Sequence, residues 1–587
     1  MPASLHARPR VLALAPALLG QRLLEIIPGL VSWTTLIGLV TLALARPFLT
    51  AVFLILYDFY WLVRALYTGV HLIASYRMLR RIRGTDWAYR LSLLDNPTHA
   101  LSCVAAHIRD LERQQALAAT RPARKRVQTT LWQERRFQAD LRRLQTLPAD
   151  RAAAGAPLSW RDVLHVVILP TSHEPLSLLE QSVEALAHAR YPKERLWVVI
   201  ALEERAGEHA HHVRRALAER YADTFGLFLT TLHPDGIAGE RKVKSANASY
   251  AARAIQPLLA AAEIPYEHVI VSNLDADSVV APDYFAALTY AYLSTPDRLR
   301  CSYQPLPLYA NNIWDAPAFT RVVAMNATFW VLIQSVRPER LVTYSSQAIP
   351  LQALVDVGFW DPTVVSEDSR IFWQCYVHYD GRYRVVPLFT TVSMDVTRAP
   401  THVQSIVHQY KQIRRWAWGI ENFPFVARAL FFRPTAIPLR QRLHRLWVMI
   451  EAWHSWATSS LILVGLGWIL ILFGGTEFQQ TILAFNLPRV TRTLLTIGMT
   501  GLALNATLSL LLVPPPPPGT PKRRYLWMVL QWSLTPLIAS VFGSLPALDA
   551  QTRLMFGKYL GFWVTPKIRP ARDRAVAHPA TVQVRAG

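Results

Sequence analysis

His268-Val269-Ile270-Val271-Ser272-Asn273-Leu274-Asp275-Ala276-Asp277 runs from a short apolar segment straight into two carboxylates. In an extended segment residues i and i+2 point the same way, so Asp275 and Asp277 can converge on one point. Paired hard oxygens suit Mg2+ or Mn2+, which keep open positions for phosphate oxygens. A solvated turn after a strand would use the same two acids, and an Asp-x-Asp alone settles little. Its setting settles more. Similar short apolar runs lie at 163–169, 196–202 and 383–388, with helix-like stretches at 176–189 and 246–262 between the first three strands. Apolar strands alternating with helices predict an α/β domain whose mainly parallel sheet is covered on both faces. Ligands of such sheets sit beyond the carboxyl ends of the strands. The residues after each run are therefore the candidate site.

Outward from this domain the composition changes. Hydrophobic residues make up 52% of the 587 residues and charged residues only 17%, an apolar and charge-poor balance for a soluble protein. The apolar residues fall in blocks at 27–45 and 48–70, and again at about 447–473, 494–513 and 525–541. Each is near the roughly 20 residues a helix needs to cross a bilayer. An integral membrane protein is predicted, with 1–76 a transmembrane hairpin and 446–587 a C-terminal transmembrane region. Ala43-Leu44-Ala45 resembles a signal-peptidase site, but a second apolar segment follows almost at once, which favours the hairpin. Asp58 in that second segment is costly in lipid and should face other helices or water.

The net charge of +22 would suit a nucleic-acid partner. The basic residues instead cluster beside the apolar segments: Arg77, Arg80, Arg81 and Arg83 after the hairpin, and Lys522, Arg523 and Arg524 before the last segment. That positive-inside pattern argues for the lipid bilayer and against nucleic acid as the partner. It places the N-terminus and the central region in the cytosol, as in a multi-pass inner-membrane protein. Cys103, Cys301 and Cys375 form neither a metal spacing nor a disulfide framework. Residues 77–159 read as a basic cytosolic helical linker, with small residues at 152–157, and 160–398 as the catalytic domain. Within 399–445 the aromatic and basic stretch 402–432 is too polar to span a membrane and suits interfacial helices.

Further motifs follow one another along the chain. Ile168-Leu169-Pro170-Thr171-Ser172-His173-Glu174-Pro175 closes the first strand, and Lys244-Ser245-Ala246-Asn247 comes after the second. Beyond Asp275-Ala276-Asp277 lie Ser366-Glu367-Asp368, then Gln412-Ile413-Arg414-Arg415-Trp416, and finally Phe562-Trp563-Val564-Thr565-Pro566-Lys567. Together these resemble the family 2 glycosyltransferases of GT-A fold, in particular their membrane-embedded, cellulose-synthase-like branch. The resemblance implies an α/β GT-A catalytic domain set between transmembrane helical segments. It further implies that Pro170, Thr171 and Glu174 face the nucleoside, and that Lys244, Asn247 and Asp275 bind the nucleotide. Asp275 and Asp277 would hold the metal, Asp368 would be the general base beside Glu367, and Gln412, Arg415 and Trp416 would meet the acceptor. Thr565 and Lys567 would bind the diphosphate from a gating loop. The chain departs from the pattern at His173, where the family has Asn, and at Glu203, where it commonly has an Asp for the base or ribose. The implied donor is a nucleoside-diphosphate sugar, a UDP-sugar in first expectation. The implied reaction is processive, inverting extension of a glycan coupled to export, with single transfer to a membrane lipid as the alternative.

Residue chemistry fits these roles. Inversion needs a base on the face opposite the leaving group, to take the proton of the acceptor hydroxyl. Ser366-Glu367-Asp368 also suits a helix N-terminus, where Ser caps and acids favour the dipole, and such a cap would fix the base. On a helix Gln412, Arg415 and Trp416 share one face, although a Trp there also suits an interfacial anchor. One conflict arises. A cytosolic 562–567 loop requires an even number of crossings after the catalytic domain, and three apolar segments are present. Pro536 and Pro546 mark the last of these for a re-entrant or interfacial course.

Overall fold

Arg46-Pro47 divides the N-terminal apolar block into two long helices, α1 (Leu18–Ala45) and α2 (Pro47–Ile82). Proline cannot continue the first helix, yet its fixed φ suits the first turn of the second. The computed structural model describes residues 18–145, 158–561 and 563; the small-residue stretch at 152–157 and the residues Phe562, Thr565 and Lys567 lie outside the described residues. After α2 come α3 (Trp87–Leu94), α4 (Pro97–Leu117) and α5 (Arg121–Gln145). The Asp86 and Asn96 carboxylate and amide oxygens cap α3 and α4 by accepting from the backbone N–H of Tyr89 and His99. This basic helical unit buries Leu131, Phe137 and Leu141 against the catalytic domain.

The domain follows as β1 (Leu164–Pro170), α6 (Leu176–Ala187), β2 (Leu196–Glu203), α7 (Glu208–Tyr221), β3 (Leu227–His233), α8 (Lys244–Ala254), α9 (Gln256–Ala261), β4 (Val269–Asn273), β5 (Val279–Val280), α10 (Tyr284–Ser294), β6 (Cys301–Tyr309), α11 (Ala318–Ser335), β7 (Gln347–Pro350), α12 (Leu351–Asp356), α13 (Glu367–His378) and β8 (Arg384–Met394). The strands form one sheet in the order β3-β2-β1-β4-β7-β6-β8-β5. Its first four members are parallel, β7 runs antiparallel to both β4 and β6, and β6 and β8 are again parallel. Both faces of β1 are packed: Val167 and Leu169 enter one hydrophobic core, while Val166 and Ile168 enter the other. That two-sided burial explains a continuous apolar run rather than alternation. The α/β domain expected between apolar helices is present, with a mixed sheet. Strands β3, β5, β6 and β7 were not anticipated. The helix expected over 246–262 is broken at Ile255, because Pro257 occupies the first turn of α9.

After the domain lie α14 (His402–Ala417), α15 (Asn422–Phe431), α16 (Leu439–Phe473), α17 (Gly475–Gln479), α18 (Ile482–Leu512), α19 (Arg523–Leu530), α20 (Thr535–Ala539) and α21 (Leu545–Met555). Five helices among the described residues are long and apolar enough to cross a membrane: Gly20–Ala45, Pro47–Ile82, Leu439–Phe473, Ile482–Leu512 and Arg523–Met555. The fifth is not a regular rod. A 3-10 turn at Gln531–Leu534 and a wide π turn at Ser540–Ser544 interrupt it, and Pro536 and Pro546 open the pieces that follow. It touches the catalytic side along its length. Tyr525 packs edge-on against Trp314 with ring centres 5.7 Å apart, Arg321 Nε donates to Gln531 Oε1 at 2.7 Å, and Arg414 Nη1 reaches Asp549 Oδ2 at 2.9 Å. The other four pack on one another. Ala43, Leu54, Leu466 and Leu487, one from each of α1, α2, α16 and α18, meet in a single buried cluster. Arg64 and Glu451 pair between α2 and α16, and Asp58 is buried.

Candidate active site

Four separate segments deliver charged side chains to one place beyond the carboxyl ends of the central strands. β4 continues as Leu274, whose N–H bonds Ile168 O at 3.0 Å, and the chain then turns through Asp275-Ala276-Asp277, closed by Ser278 N–H on Asp275 O at 2.9 Å. Asp277 is buried, and its Oδ2 accepts from the Asp395 backbone N–H at 2.8 Å. Asn311 ties the same corner together, donating to Asp277 O at 3.1 Å and to Asp395 Oδ1 at 3.0 Å. Asp275 accepts on one oxygen from Ser345 and on the other from Lys244 Nζ at 2.6 Å.

Lys244, the first residue of α8, is the hub. Its ammonium also lies 3.2 Å from Glu367 Oε1 and 3.8 Å from Asp368 Oδ1. Burial alone would lower its pKa, but the charges of Asp275, Asp368 and Glu367 outweigh it and hold the ammonium well above its ordinary value. Asp368 shows the opposite balance. Withdrawal from water and the neighbouring Glu367 charge raise its carboxyl above the ordinary range, against the pull of Lys244 and Arg415. Its backbone carbonyl is held by Thr343 Oγ1 and by Gln347 Nε2, and about a quarter of its side chain remains open at 27%. A fixed carboxyl with a raised pKa and partial access has the character of a general base.

The residues expected at the nucleotide sit at the ends of β1 and β2. Pro170 ends β1, and Glu174 organises the following loop, its Oε2 accepting from Thr171 Oγ1 at 2.8 Å and from Ser172 N–H at 2.7 Å. His173 is exposed. Asn247 is buried and donates to Ala201 O at 2.7 Å, so it fastens α8 to the end of β2. Glu203 ends β2 and pairs with Arg205. These two form, with His233, Asp235, Glu240 and Arg241, the wall of a pocket beside β2 and β3. His233 and the loop after it were not foreseen, because β3 was not. The signal was available: 227–232 is an apolar, threonine-bearing run that ends in Pro234-Asp235-Gly236.

On the opposite side stands α14. Gln412 is buried, its Oε1 accepting from Thr397 Oγ1 at 2.7 Å and Gln409 Nε2 at 3.0 Å. Trp416 packs on Tyr309 with ring centres 5.9 Å apart. The Tyr309 hydroxyl is pushed up by burial and by the charges of Asp275, Asp277 and Asp368, and pulled down by Arg415. Tyr309 thus joins the acidic centre to α14. Sequence reading missed it, along with Ser345 and Asp395. Trp563 meets α14 too, edge-on to His408 at 5.3 Å and under Lys411 Nζ at 5.3 Å, while Arg241 Nη2 donates to Leu560 O at 2.8 Å. The C-terminal segment therefore passes from the pocket loop to α14.

Whether this centre suits a divalent metal turns on its donor set. Among the described residues no group of three or more His, Cys, Asp or Glu is arranged as a metal cluster. Asp275 and Asp277 supply two carboxylates in a turn. Such a pair fits Mg2+ or Mn2+, which take most of their shell from phosphate oxygens and water, better than a metal needing an all-protein cage.

Residues 270–513 match the family model described as glycosyl transferase family group 2. The matched stretch begins in β4 and ends beside α18, so it contains both acidic motifs and α14, and it supports a family 2 glycosyltransferase. No curated protein matches the chain. Among solved structures, a mannosyltransferase from Pyrobaculum calidifontis, in complex with GDP-Man and Mn2+, is 17% identical over 67% of this chain and 88% of its own, with a TM-score of 0.33. S. aureus TarS 1-349 in complex with UDP-GlcNAc is 11% identical over 58% of this chain and 89% of its own, with a TM-score of 0.30. At these TM-scores the likenesses carry no further weight.

Proposed function

We propose that this chain is a membrane-bound, inverting glycosyltransferase of GT-A type that moves a sugar from a nucleoside-diphosphate sugar to an acceptor hydroxyl at the cytosolic membrane face. The observation that carries the reading is the meeting of Lys244, Asp275, Glu367 and Asp368, from three distant segments, within 3.8 Å of one ammonium. A divalent ion held by Asp275 and Asp277 would supply charge neutralisation to the departing diphosphate. Asp368 takes the proton of the acceptor hydroxyl, and Lys244 keeps the acids assembled before donor binds. Arg415 adds positive charge on the acceptor side, and Thr565 and Lys567 are assigned to the diphosphate. The test is a screen of the detergent-purified protein for nucleotide release from UDP-sugars first and GDP-sugars next, with Mg2+ or Mn2+. Metal-dependent release is expected, and its absence across the donors overturns the reading.

Two other contacts support a membrane course. Both ends of the broken fifth helix lie on groups of the catalytic side, Trp314 at Tyr525 and Arg414 at Asp549. We assign it to the interface rather than to a crossing. Four crossings remain, which returns the C-terminal segment to the side of the catalytic domain and removes the conflict of parity.

Two observations bear on the acceptor. Gln412, Arg415 and Trp416 on one face of α14 favour a growing glycan held for repeated transfer. Leu54, Leu466, Leu470 and Leu487, from three of the four helices, meet in one buried cluster, which favours a membrane lipid acceptor. Trp416→Ala separates the two. Loss of the indole face removes a contact on the order of 1 kcal/mol, so a processive enzyme is expected to give shorter product while donor hydrolysis persists. Unchanged product length with lower expression would make Trp416 an anchor and leave the lipid acceptor as the reading.

A further inference from the structure

Glu421 lies just beyond α14, in the short turn that leads into α15, and one oxygen of its carboxylate is committed to another element. Oε1 accepts three hydrogen bonds: from Val365 N–H at 3.0 Å, Ser366 N–H at 2.8 Å and Ser366 Oγ at 2.6 Å. Oε2 accepts from the indole N–H of Trp418, a fully buried side chain, at 2.8 Å. Burial raises this carboxyl above its ordinary range, and the bonds from Ser366 and Trp418 pull it back. A buried anion is tolerated only when paired and hydrogen-bonded, and Arg370, itself buried and stacked 4.2 Å over Phe425, supplies the nearby positive charge. Asn422 adds a second tie, donating to Ser369 Oγ at 2.8 Å. The bonds of Oε1 and of Asn422 end on the segment 365–369, which contains Glu367 and Asp368.

The consequence is mechanical. Ser366 sits at the N-cap position of α13 but makes no side-chain cap bond of its own. Glu421, from 55 or 56 residues away, instead takes the backbone N–H of Ser366 and of Val365 before it. Glu421 follows Trp416 by five positions on the chain. Through it, the helix bearing Gln412, Arg415 and Trp416 and the turn bearing the base are fastened together. We propose that Glu421 is a positioning residue that fixes Asp368 relative to the acceptor side of α14, so that base and acceptor platform keep one geometry. This rests on the glycosyltransferase reading above and adds to it a requirement on the acceptor half-reaction alone. The donor side, held by Lys244, Asp275 and Asp277, makes no bond to Glu421.

Glu421→Gln tests it. The amide cannot satisfy four donors, because its NH2 must face either the indole N–H or the α13 turn, and the turn must shift. Misplacement of a reacting group by about 1 Å costs up to about a hundredfold in rate. The experiment uses membranes of cells expressing the full chain, given labelled UDP-glucose, UDP-N-acetylglucosamine or GDP-mannose, and follows nucleotide release and sugar incorporation side by side. Expected is a loss of incorporation by about tenfold or more, with donor KM and hydrolysis near wild type, so that the ratio of transfer to hydrolysis falls. A merely structural role would lower both rates together. Ser366→Ala, which removes one donor and keeps the rest, is the milder second variant and should move the same ratio by about threefold. If Glu421→Gln does not fold, Ser366→Ala decides. An active wild type whose ratio is unmoved in the folded variants overturns the positioning role. A wild type without metal-dependent release overturns the glycosyltransferase reading beneath it.

Discussion

Asp277→Asn is expected to lower sugar transfer by about three orders of magnitude or more while the protein keeps its fold. The argument begins with what the substitution preserves. Asp277 is buried, and one of its oxygens accepts the Asp395 N–H at 2.8 Å. Asparagine matches aspartate in shape, and its amide oxygen can keep that bond, so the corner tied by Asn311 and Asp395 should survive. What is lost is the negative charge. A divalent ion bound through two carboxylates supplies several kcal/mol of stabilisation to a developing diphosphate charge, and about 4 kcal/mol corresponds to roughly a thousandfold in rate. Asp275 alone cannot replace it, since it already faces Lys244 at 2.6 Å. The measurements are thermal unfolding in detergent, nucleotide release with Mg2+ or Mn2+, and the same assay in excess EDTA. Near-native turnover by the variant, or wild-type turnover undiminished by the chelator, would refute a metal at this pair.

The elements legible in the sequence are those whose signal is local. β1, β2 and β4 are buried on both faces, so each reads as a continuous apolar run; the paired acids after β4 are also visible in the sequence, although a turn rather than the two-residue period of a strand presents them. β6 is hidden by Pro305 and Pro307, which argue against a strand in the middle of a sheet. Here the ladder shifts register between Gln304 and Leu306, where an irregularity accommodates the first of them. β7 has only four residues and lies antiparallel between two parallel groups, and no periodicity announces that. The fifth apolar helix has the composition of a span; Pro536 and Pro546 mark its breaks in the sequence, while its contacts with Trp314 and Arg414 are visible only in the fold. The same limit applies at the centre. Lys244 is expected from its motif to bind the nucleotide, and its bonds to Asp275 and Glu367, which cross 31 and more residues, carry no local signal. Glu421 carries no motif at all, because its partners become neighbours only when α13 and α15 pack.

Asp368→Asn is expected to remove transfer while sparing donor binding, and it should also stabilise the metal-free protein at alkaline pH. Losing one acid–base group costs about two to four orders of magnitude in rate. Donor affinity should persist, because the metal pair and the pocket beside Glu203 and His233 are untouched. The stability effect follows from the raised carboxyl. In the unfolded chain Asp368 ionises in the ordinary carboxylate range, whereas in the folded protein burial and the charge of Glu367 hold it protonated to higher pH. A group whose folded pKa is raised contributes stability that is fully present below its unfolded pKa and lost as pH rises through the folded value. Wild type therefore loses stability across that window, and the asparagine variant, which has no proton to lose there, does not. Lys244 keeps Asp275 and Glu367 as partners in the variant, so removal of one negative charge should not release it. Unfolding of both proteins at pH 5 and pH 8 in EDTA should show a Tm difference in favour of the variant that widens at the higher pH. The kinetic half is read from donor binding by calorimetry and from incorporation of labelled sugar. A variant that turned over near wild type would move the role of base to another carboxylate, Glu367 first, since it lies 3.2 Å from the same lysine.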